Sequence, residues 1–438
     1  MTRYVVDGPC SIVMDLETFT WLLAPAGQEL LAEAERLDLG DAARLATLGR
    51  LRRAAPPERA AAAYETALLR RRAASKFPRA SQMYFTREAL EQATGWPVAS
   101  HRARRYLELL GTGAHVADLC CGVGGDALAL AAAGLRVTAV DRDPLRLAMA
   151  RANALALGLG DRLAFAQLDL EADAPPAADA IFFDPARRSG GRRVFALADY
   201  APPVALVHRW RDRTPAVGVK VAPGVTDEEL AALAVPEAEF ISLDGELKEA
   251  VLWFGALAGG GRRATLISAR EAGPAAGDSP SAVSLWSAAP AALARAPLSA
   301  PLAFLYEPDP AVIRAHLVAL LAHGLGAAQV DAEIAYLTAD HAVATPFARC
   351  WRVLEWLPFS LKRLRARLRE LGTGPVTVKK RGSPLDTDAL ARALSGGGPR
   401  PLVVVLTQVR GRPAAIICEG PIHAGQIADS GLLGHGTH

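Results

Sequence analysis

Long apolar runs are missing from this sequence. No stretch approaches the ~20 consecutive apolar residues that a membrane-spanning helix needs. The first residues, Met1-Thr-Arg-Tyr4, lead into Asp7 and Gly8 and not into the apolar block of a secretory signal peptide. We therefore expect a cytoplasmic protein with no membrane partner.

Cysteine is scarce, and net charge is small. The five cysteines, at positions 10, 120, 121, 350 and 418, are scattered and have neither a disulfide framework nor metal-ligand spacing. They fit free thiols in a reducing compartment, and we predict no metal site. The net charge of +3 says little about partners, but 438 residues that are 51% hydrophobic predict two or three folded domains.

A glycine-rich turn organises the middle of the chain. The run Val116-Ala-Asp-Leu-Cys-Cys-Gly-Val-Gly-Gly-Asp126 predicts a strand, a turn and then a helix. Because Gly122, Gly124 and Gly125 carry no Cβ, such a turn lets backbone N–H groups approach a ligand. Taken alone, the turn is equally typical of several nucleotide-like ligands, or of simple helix packing.

Strands and helices alternate after this turn. Seven strands are predicted, over residues 116–120, 135–140, 163–167, 178–183, 216–221, 239–243 and 250–254. This alternation indicates an α/β fold with a largely parallel sheet and helices on both faces. Ligands of such sheets bind beyond the carboxyl ends of the strands.

Aspartates stand at four of these strand ends. Asp118 lies at the end of the first strand, Asp141 and Asp143 close the second, Asp169 follows the third and Asp184 follows the fourth. Each one alone is equally well explained as a helix cap. Four in register favour a shared site, and an acid after the second strand suits ribose hydroxyls.

These motifs resemble the core of the class I S-adenosylmethionine-dependent methyltransferases, and the turn is similar to that of their trimethylguanosine synthase branch, which acts on RNA. The resemblance implies a Rossmann-like seven-stranded sheet and S-adenosylmethionine as cofactor, with the glycines near its methionine part, Asp141 at the ribose and Asp169 at the adenine. The dehydrogenase pattern Gly-x-Gly-x-x-Gly fits the spacing less well. The predicted cofactor-binding residues are Thr86, Asp118, Gly122, Gly124, Gly125, Asp141, Asp143 and Asp169.

The fourth strand ends in Asp184-Pro185, where amino-methylating enzymes of this fold carry Asn/Asp-Pro-Pro-aromatic. That resemblance implies that Asp184 and a backbone carbonyl at Pro185 accept hydrogen bonds from the target amine. Arg187 stands in place of the aromatic residue, and we predict it to be catalytic. Together with Arg188 it is expected to bind phosphate, to stack on a base, or simply to pair with carboxylates.

The Asp-Pro-x-Arg sequence is also similar to that of uracil-C5 methyltransferases. Methylation of a pyrimidine carbon requires a cysteine that first adds to the ring. Cys120 and Cys121 lie in the cofactor turn, while Cys350 and Cys418 lie far beyond the seventh strand. None is placed for that addition, so we favour methylation of a nitrogen.

Two further segments, residues 85–94 and 244–253, resemble those of bacterial methyltransferases with a THUMP-like C-terminal domain. By that resemblance Thr86 lies in a loop over the cofactor, and Lys248 lies near the rim of the site, where it is predicted to bind substrate. A charged hairpin explains Lys248 equally well. Upstream, helices are predicted over residues 29–48 and 58–72.

The C-terminal part is predicted to be a small α+β module that resembles THUMP-like domains, which are associated with RNA. A basic helix within residues 347–371, followed by Lys379-Lys380-Arg381, has the charge expected for contact with a phosphate backbone. Trp351, Trp356 and Phe359 either stack on bases or belong to the core.

We therefore expect an enzyme that methylates a nucleobase nitrogen in structured RNA, either tRNA or rRNA. One alternative is a small-molecule or protein methyltransferase on the same core, with the C-terminal domain used for dimerisation. Another is a non-catalytic RNA-binding module that keeps its affinity for the cofactor. The predicted divisions are a helical domain over 1–75, a methyltransferase domain over 76–260, a linker and strand segment over 261–300 and a THUMP-like domain over 301–438.

Overall fold

A computed structural model describes residues 14–186, 188–189, 192–193, 196–269, 281–382 and 386–422. These residues form two compact units. The first unit contains the described residues up to Pro236, with 250–258, 267–269 and Ser281; the second contains 237–249, 259–266 and the described residues from 282 onward. None of the helices described is long and apolar enough to cross a membrane.

Six helices precede the first strand. They are α1 (Leu16–Leu23), α2 (Pro25–Glu35), α3 (Arg44–Leu51), α4 (Pro57–Ala73), α5 (Arg87–Gln92) and α6 (Trp96–Leu110). Helix α4 confirms the helix predicted over 58–72. The single helix predicted over 29–48 is wrong, because the chain turns at Asp38. The Asp38 side chain accepts a hydrogen bond from the Gly40 N–H at 2.8 Å. The Asp38 carbonyl accepts one from the Thr47 hydroxyl, also at 2.8 Å.

Strands and helices then alternate as predicted. The elements are β1 (His115–Leu119), α7 (Gly125–Ala132), β2 (Arg136–Asp141), α8 (Pro144–Ala156), β3 (Leu163–Gln167), β4 (Ala180–Phe183), β5 (Arg188–Ser189), β6 (Arg192–Arg193), α9 (Val207–Arg211), β7 (Val217–Val221), α10 (Asp227–Ala232), β8 (Glu237–Leu243), β9 (Glu246–Phe254), β10 (Gly261–Ser268) and β11 (Ser281–Ser287).

All seven predicted strands form and belong to one sheet. Its strand order is β11-β10-β8-β9-β7-β4-β1-β2-β3, so β10 and β11, from the predicted linker and strand segment, extend it to nine strands. Strands β1 to β4 and β7 pair in parallel, whereas β9 runs antiparallel to β7. The fold is therefore the predicted Rossmann-like sheet.

The strand order reverses between β1 and β4. From β1 the chain moves outward through β2 and β3 and then returns to place β4 on the other side of β1. The connection from β1 to β2 and the connection from β3 to β4 thus run in opposite directions along the sheet, which opens a crevice at the carboxyl ends of β1 and β4. The glycine-rich turn follows β1 and Asp184 follows β4, so the fold brings these predicted site residues to the same edge of the sheet.

The second unit contains a seven-stranded sheet of order β13-β14-β12-β15-β18-β17-β16. Its elements are β12 (Phe304–Pro308), α11 (Pro310–Arg314), α12 (Val318–Leu325), β13 (Ala328–Asp331), β14 (Ile334–Ala339), β15 (Ala348–Pro358), α13 (Leu361–Glu370), β16 (Thr373–Lys380), α14 (Thr387–Leu394), β17 (Arg400–Val409) and β18 (Arg412–Ile422). The predicted hairpin is β17–β18.

The residues of β17 alternate between two cores, as a strand with both faces buried must. Leu402, Val404 and Leu406 pack with Leu364 and Leu368 of α13. Val403 and Val405 pack on the other face with Trp351 and Tyr336. The basic helix predicted within residues 347–371 is α13, which occupies the last part of that segment, while β15 occupies its first part.

Gly218 in β7 lies against two aromatic side chains of the first unit. A Cβ added there would stand 2.6 Å from the Tyr106 hydroxyl oxygen and 2.7 Å from Cζ3 of Trp253. We expect Gly218→Ala to lower the free energy of unfolding by about 1–3 kcal/mol through overpacking, as measured by chemical denaturation. Gly224→Ala is the matched control, since no atom lies within 4 Å of its added Cβ. Equal effects of the two changes would contradict this account of the core.

Candidate active site

A cleft of about 420 Å³ lies beyond the carboxyl ends of β1 to β4. This volume falls in the range of roughly 300–1,000 Å³ that is usual for small-molecule sites. The cleft is lined by the segments that follow these four strands, by the end of α5 and the residues after it, and by Lys220 of β7. The lining residues are 88–89, 91–94, 120–123, 125–126, 141–143, 146, 168–170, 184–186, 201–202 and 220.

The glycine-rich turn forms one wall of the cleft. Gly122 lines it with φ +56°, and no atom lies within 4 Å of the position where a Cβ would stand. Gly125 also lines the cleft, beside the carbonyl oxygen of Thr94. Gly124, with φ +89°, begins α7 and packs against Ala150 of α8, so its observed contact is with a helix. Two of the three predicted glycines thus border the space that a ligand would fill.

The aspartates after β2 and β3 have different local roles. Asp141 is 6% exposed, and its two carboxylate oxygens accept the N–H groups of Gly122 at 2.9 Å and of Asp143 at 3.0 Å. Asp143 caps α8 through the Leu145 N–H at 2.8 Å. Asp169 is exposed and accepts the Glu171 N–H at 3.1 Å. The capping alternative therefore applies to Asp143, while Asp141 braces the glycine turn; all three line the cleft.

Behind the turn lies a buried cluster of charges. Arg102 of α6 is 1% exposed; it forms an ion pair with Asp126 and stacks 4.3 Å over the Phe182 ring. Asp118 is also 1% exposed, and neither of its carboxylate oxygens has a hydrogen-bond partner among the described residues. Burial raises the pKa of Asp118 well above its usual range, and the negative charges of Asp126 and Asp184 raise it further. Folding thus favours the protonated form of Asp118.

Asp184 is held by a lysine that the sequence analysis did not single out. Nζ of Lys220 lies 2.6 Å from Oδ2 of Asp184 and 3.0 Å from the Thr94 hydroxyl oxygen. The Lys220 side chain is 8% exposed and that of Asp184 is 27% exposed. A lysine in the apolar strand Val-Gly-Val-Lys-Val was the available signal, because a lysine buried in a sheet needs a partner.

The segment after Thr86, which lines the cleft, is held by two polar side chains, those of the half-buried Lys76 and the buried Asn153. Lys76 Nζ donates to the carbonyls of Leu90 at 2.7 Å and Ala93 at 3.2 Å, at the end of α5. Asn153, fully buried, bonds both the N–H and the carbonyl of Tyr84 and also the Val123 carbonyl of the glycine turn. These contacts set the position of residues 88–94 relative to the turn.

Thr86 itself caps α5 by accepting the Ala89 N–H at 3.1 Å. It is not among the described residues that line the cleft. Its contribution in this structure is thus to start the helix that carries lining residues, and direct contact with the cofactor stays a prediction.

The thiols of Cys120 and Cys121 line the cleft as protonated groups. Burial raises the pKa of both well above the usual range, and the nearby carboxylates of Asp141 and Asp118 raise it further. The thiolate, not the thiol, is the nucleophile in cysteine chemistry. These two cysteines are therefore poorly suited to attack a pyrimidine ring.

Three other residues were predicted to act on the substrate, and none is among the described residues that line the cleft: Arg187, Arg188 and Lys248. Arg187 is not among the described residues, and Arg188 is described only as part of the short strand β5. Lys248 lies 2.6 Å from Glu246, as the charged-hairpin alternative expects. The described residues contain no cluster of His, Cys, Asp and Glu that would hold a metal ion.

The buried state of Asp118 predicts a pH-dependent stability. A carboxyl whose pKa is raised by folding stabilises the protein below its unfolded value of about 3.9, and that contribution is lost as pH rises. We expect Asp118→Asn to gain stability relative to wild type as pH increases from 4 to 8, measured by denaturation at each pH. The exposed Asp161→Asn is the control, and a pH-independent difference for Asp118→Asn would contradict the prediction.

Comparisons with known proteins bear on the fold and the family of this chain. Residues 116–184 match the methyltransferase domain family, residues 348–420 match the THUMP domain-like family and residues 15–73 match a domain family of unknown function. A crystal structure of a protein from Porphyromonas gingivalis W83, assigned as a methyltransferase, covers 90% of this chain and 98% of its own with a TM-score of 0.68 at 21% identity. It confirms the fold.

Closer relatives identify the family. Two proteins of Mycobacterium tuberculosis, from strains CDC 1551 and H37Rv, are each named an uncharacterized S-adenosylmethionine-dependent methyltransferase. Each is 41% identical to this chain over 356 residues, which cover 79% of this chain and 92% of the relative. The chain therefore belongs to the S-adenosylmethionine-dependent methyltransferases, with S-adenosylmethionine as its cofactor and a THUMP-like domain at its C-terminal end.

Proposed function

We propose that this enzyme transfers the methyl group of S-adenosylmethionine to a nitrogen of a nucleobase in structured RNA, such as tRNA or rRNA. The observation that carries the proposal is the Asp184 carboxylate in the cleft, paired with the Lys220 ammonium at 2.6 Å and followed by Pro185. In this proposal the carboxylate is the hydrogen-bond acceptor that orients the target amine for methylation.

The cleft has the shape and charge that the cofactor requires. The open space at Gly122 is a cradle that any side chain would fill. Seven carboxylates and three cations line the cleft, a balance that favours a sulfonium cation. We assign Gly122 and Gly125 to the methionine part, Asp141 to the ribose and Asp169 to the adenine. Each oxygen of Asp141 keeps a lone pair after binding one backbone N–H.

Asp184 orients the acceptor nitrogen in this proposal. The cofactor supplies an electrophilic methyl group, and transfer is an in-line displacement whose rate depends on alignment. The Asp184 carboxylate and the Pro185 carbonyl accept the N–H bonds of the target amine and direct its lone pair at the methyl carbon. As the carbon–nitrogen bond forms and the carbon–sulfur bond breaks, the proton leaves nitrogen for the carboxylate.

Lys220 is a positioning residue for that carboxylate. The Lys220 ammonium lies 2.6 Å from Oδ2 of Asp184 and fixes that oxygen, which leaves Oδ1 for the substrate. Thr94 in turn holds the ammonium from the segment over the cleft.

Two observations support a nitrogen in RNA as the target. The raised pKa of the Cys120 and Cys121 thiols disfavours the covalent addition that carbon methylation requires. The match of residues 348–420 to THUMP-like domains suggests an RNA partner. An acidic cleft repels phosphate but admits a neutral base, so a separate basic surface would have to hold the RNA backbone.

Removal of the Asp184 acceptor should abolish transfer while leaving the cofactor bound. We expect Asp184→Ala to lower methyl incorporation by about 10²–10⁴-fold. The measurement is transfer from labelled S-adenosylmethionine into total RNA from a strain that lacks the protein, with cofactor affinity measured in parallel. The exposed Asp161→Ala serves as the matched control.

Asp184→Ala leaves a buried ammonium without its carboxylate, so the double variant Asp184→Ala/Lys220→Met tests whether loss of folding explains the result. We expect the double variant to melt close to wild type and to remain inactive. Wild-type enzyme that binds the cofactor and labels no RNA would contradict the proposal and direct the search to proteins and small molecules, as in the dimerisation alternative.

Lys220→Met tests the positioning role through the split between kcat and KM. Without the ammonium, Oδ2 of Asp184 loses the contact that fixes it, so kcat should fall by about 10–10²-fold, while Lys220→Arg, which keeps a cation, should retain more of the rate. The KM for S-adenosylmethionine should change only severalfold. A loss of kcat that Lys220→Arg does not relieve, or that parallels a fall in melting temperature, would show that Lys220 has a structural role alone.

A further inference from the structure

Helix α13 carries the densest positive charge in the second unit's described residues. Five of its ten residues are Lys or Arg and only Glu370 is acidic. Leu364 and Leu368 are buried in the core of the unit, which fixes the side of the helix that faces inward. Four cationic side chains are exposed on the rest of the helix: Lys362, Arg363, Arg365 and Arg369. We call these four the α13 basic face.

The α13 basic face is not neutralised within the part of the chain that the structure describes. Arg367 is paired on both sides, with Glu355 at 2.5 Å and Glu370 at 2.8 Å. The side chains of the four residues make no ion pair or hydrogen bond with any other described residue. Arg365 and Arg369, one turn apart, repel each other, and the first turn holds cations at the end where the helix dipole disfavours them.

In the basic run Lys379-Lys380-Arg381, by contrast, Lys379 and Arg381 contact acidic and aromatic side chains. Lys379 lies 2.7 Å from Glu307 and 5.0 Å from the Trp351 ring centroid. Arg381 lies 3.9 Å from the same carboxylate and 5.3 Å from the Tyr336 ring centroid. Two of the three basic residues predicted to contact RNA are thus engaged with Glu307 and the aromatic core, while Lys380 is exposed beside them.

We propose that the α13 basic face binds the phosphate backbone of the RNA substrate. This inference rests on the proposed function, because it takes RNA to be the partner. Residues 362 to 369 span about 10 Å along the helix, enough for cations to meet successive phosphates of one strand. Unpaired arginines present forked donors that match phosphate oxygens, and phosphate contact removes the mutual repulsion of the face. The expected binding is independent of base sequence and falls with salt.

The test compares two changes of known charge in the full-length protein, with unfractionated tRNA as the probe. Arg365→Gln/Arg369→Gln removes two unpaired cations, and we expect the slope of log K against log salt to decrease in magnitude by about 1.4–1.8, with roughly 25- to 60-fold weaker binding at 0.1 M salt. Lys379→Gln is the control from the same unit, and it should leave the slope within about 0.5 of wild type.

Three outcomes decide the inference. A slope unchanged in the α13 variant, or reduced only in Lys379→Gln, overturns it. Binding to phosphatidylserine-containing vesicles that depends on the α13 basic face, with no binding of tRNA, also overturns it and makes a membrane surface the partner. Binding of tRNA that depends on α13, without methyl transfer to any RNA, supports the surface and refutes the proposed function separately.

Discussion

The ion pair between Lys220 and Asp184 connects two neighbouring parallel strands beside the point where the sheet reverses its order. Lys220 lies within β7 and Asp184 directly follows β4, so the pairing of these strands fixes the distance between the two charges. Burial makes the pair mutually dependent, because each charge alone would lose the opposite charge that balances it in a poorly solvated place. The third contact, to Thr94, joins the pair to the segment over the cleft. The distance between the two charges, and with it the electrostatics of the site, thus depends on the register of the sheet.

Charge is divided between two parts of the molecule. The cleft is rich in carboxylates, which suits a sulfonium cofactor and a neutral base but repels a polyanion. The α13 basic face has the opposite sign and lies in the THUMP-like segment. An enzyme that combines these surfaces can hold a backbone at one place and admit a single base at another. This division explains why a net charge of +3 carries so little information about partners.

Much of the fold followed from sequence, because the glycine turn and the apolar strands are local patterns. Seven of the nine strands of the first sheet were predicted as its core, and so was the edge of the sheet where the aspartates meet. Residues that act through tertiary contact were not: Lys220, Thr94 and Asn153 gain their roles from partners 36, 126 and 69 positions away. The basic residues of the second unit show the same limit, because charge alone shows neither that β15 is a strand nor that Glu307 pairs with Lys379, 72 positions away.

The central claim is that the Asp184 and Lys220 pair serves methylation of a nucleobase nitrogen in RNA. The most direct test is mass spectrometry of nucleosides from the RNA of cells with and without the gene. The account predicts that one nucleoside methylated on nitrogen disappears in the deletion strain and returns with the wild-type gene but not with Asp184→Ala. A nucleoside profile that is identical in all strains would contradict it, and loss of a carbon-methylated nucleoside would contradict the chemistry assigned to Asp184.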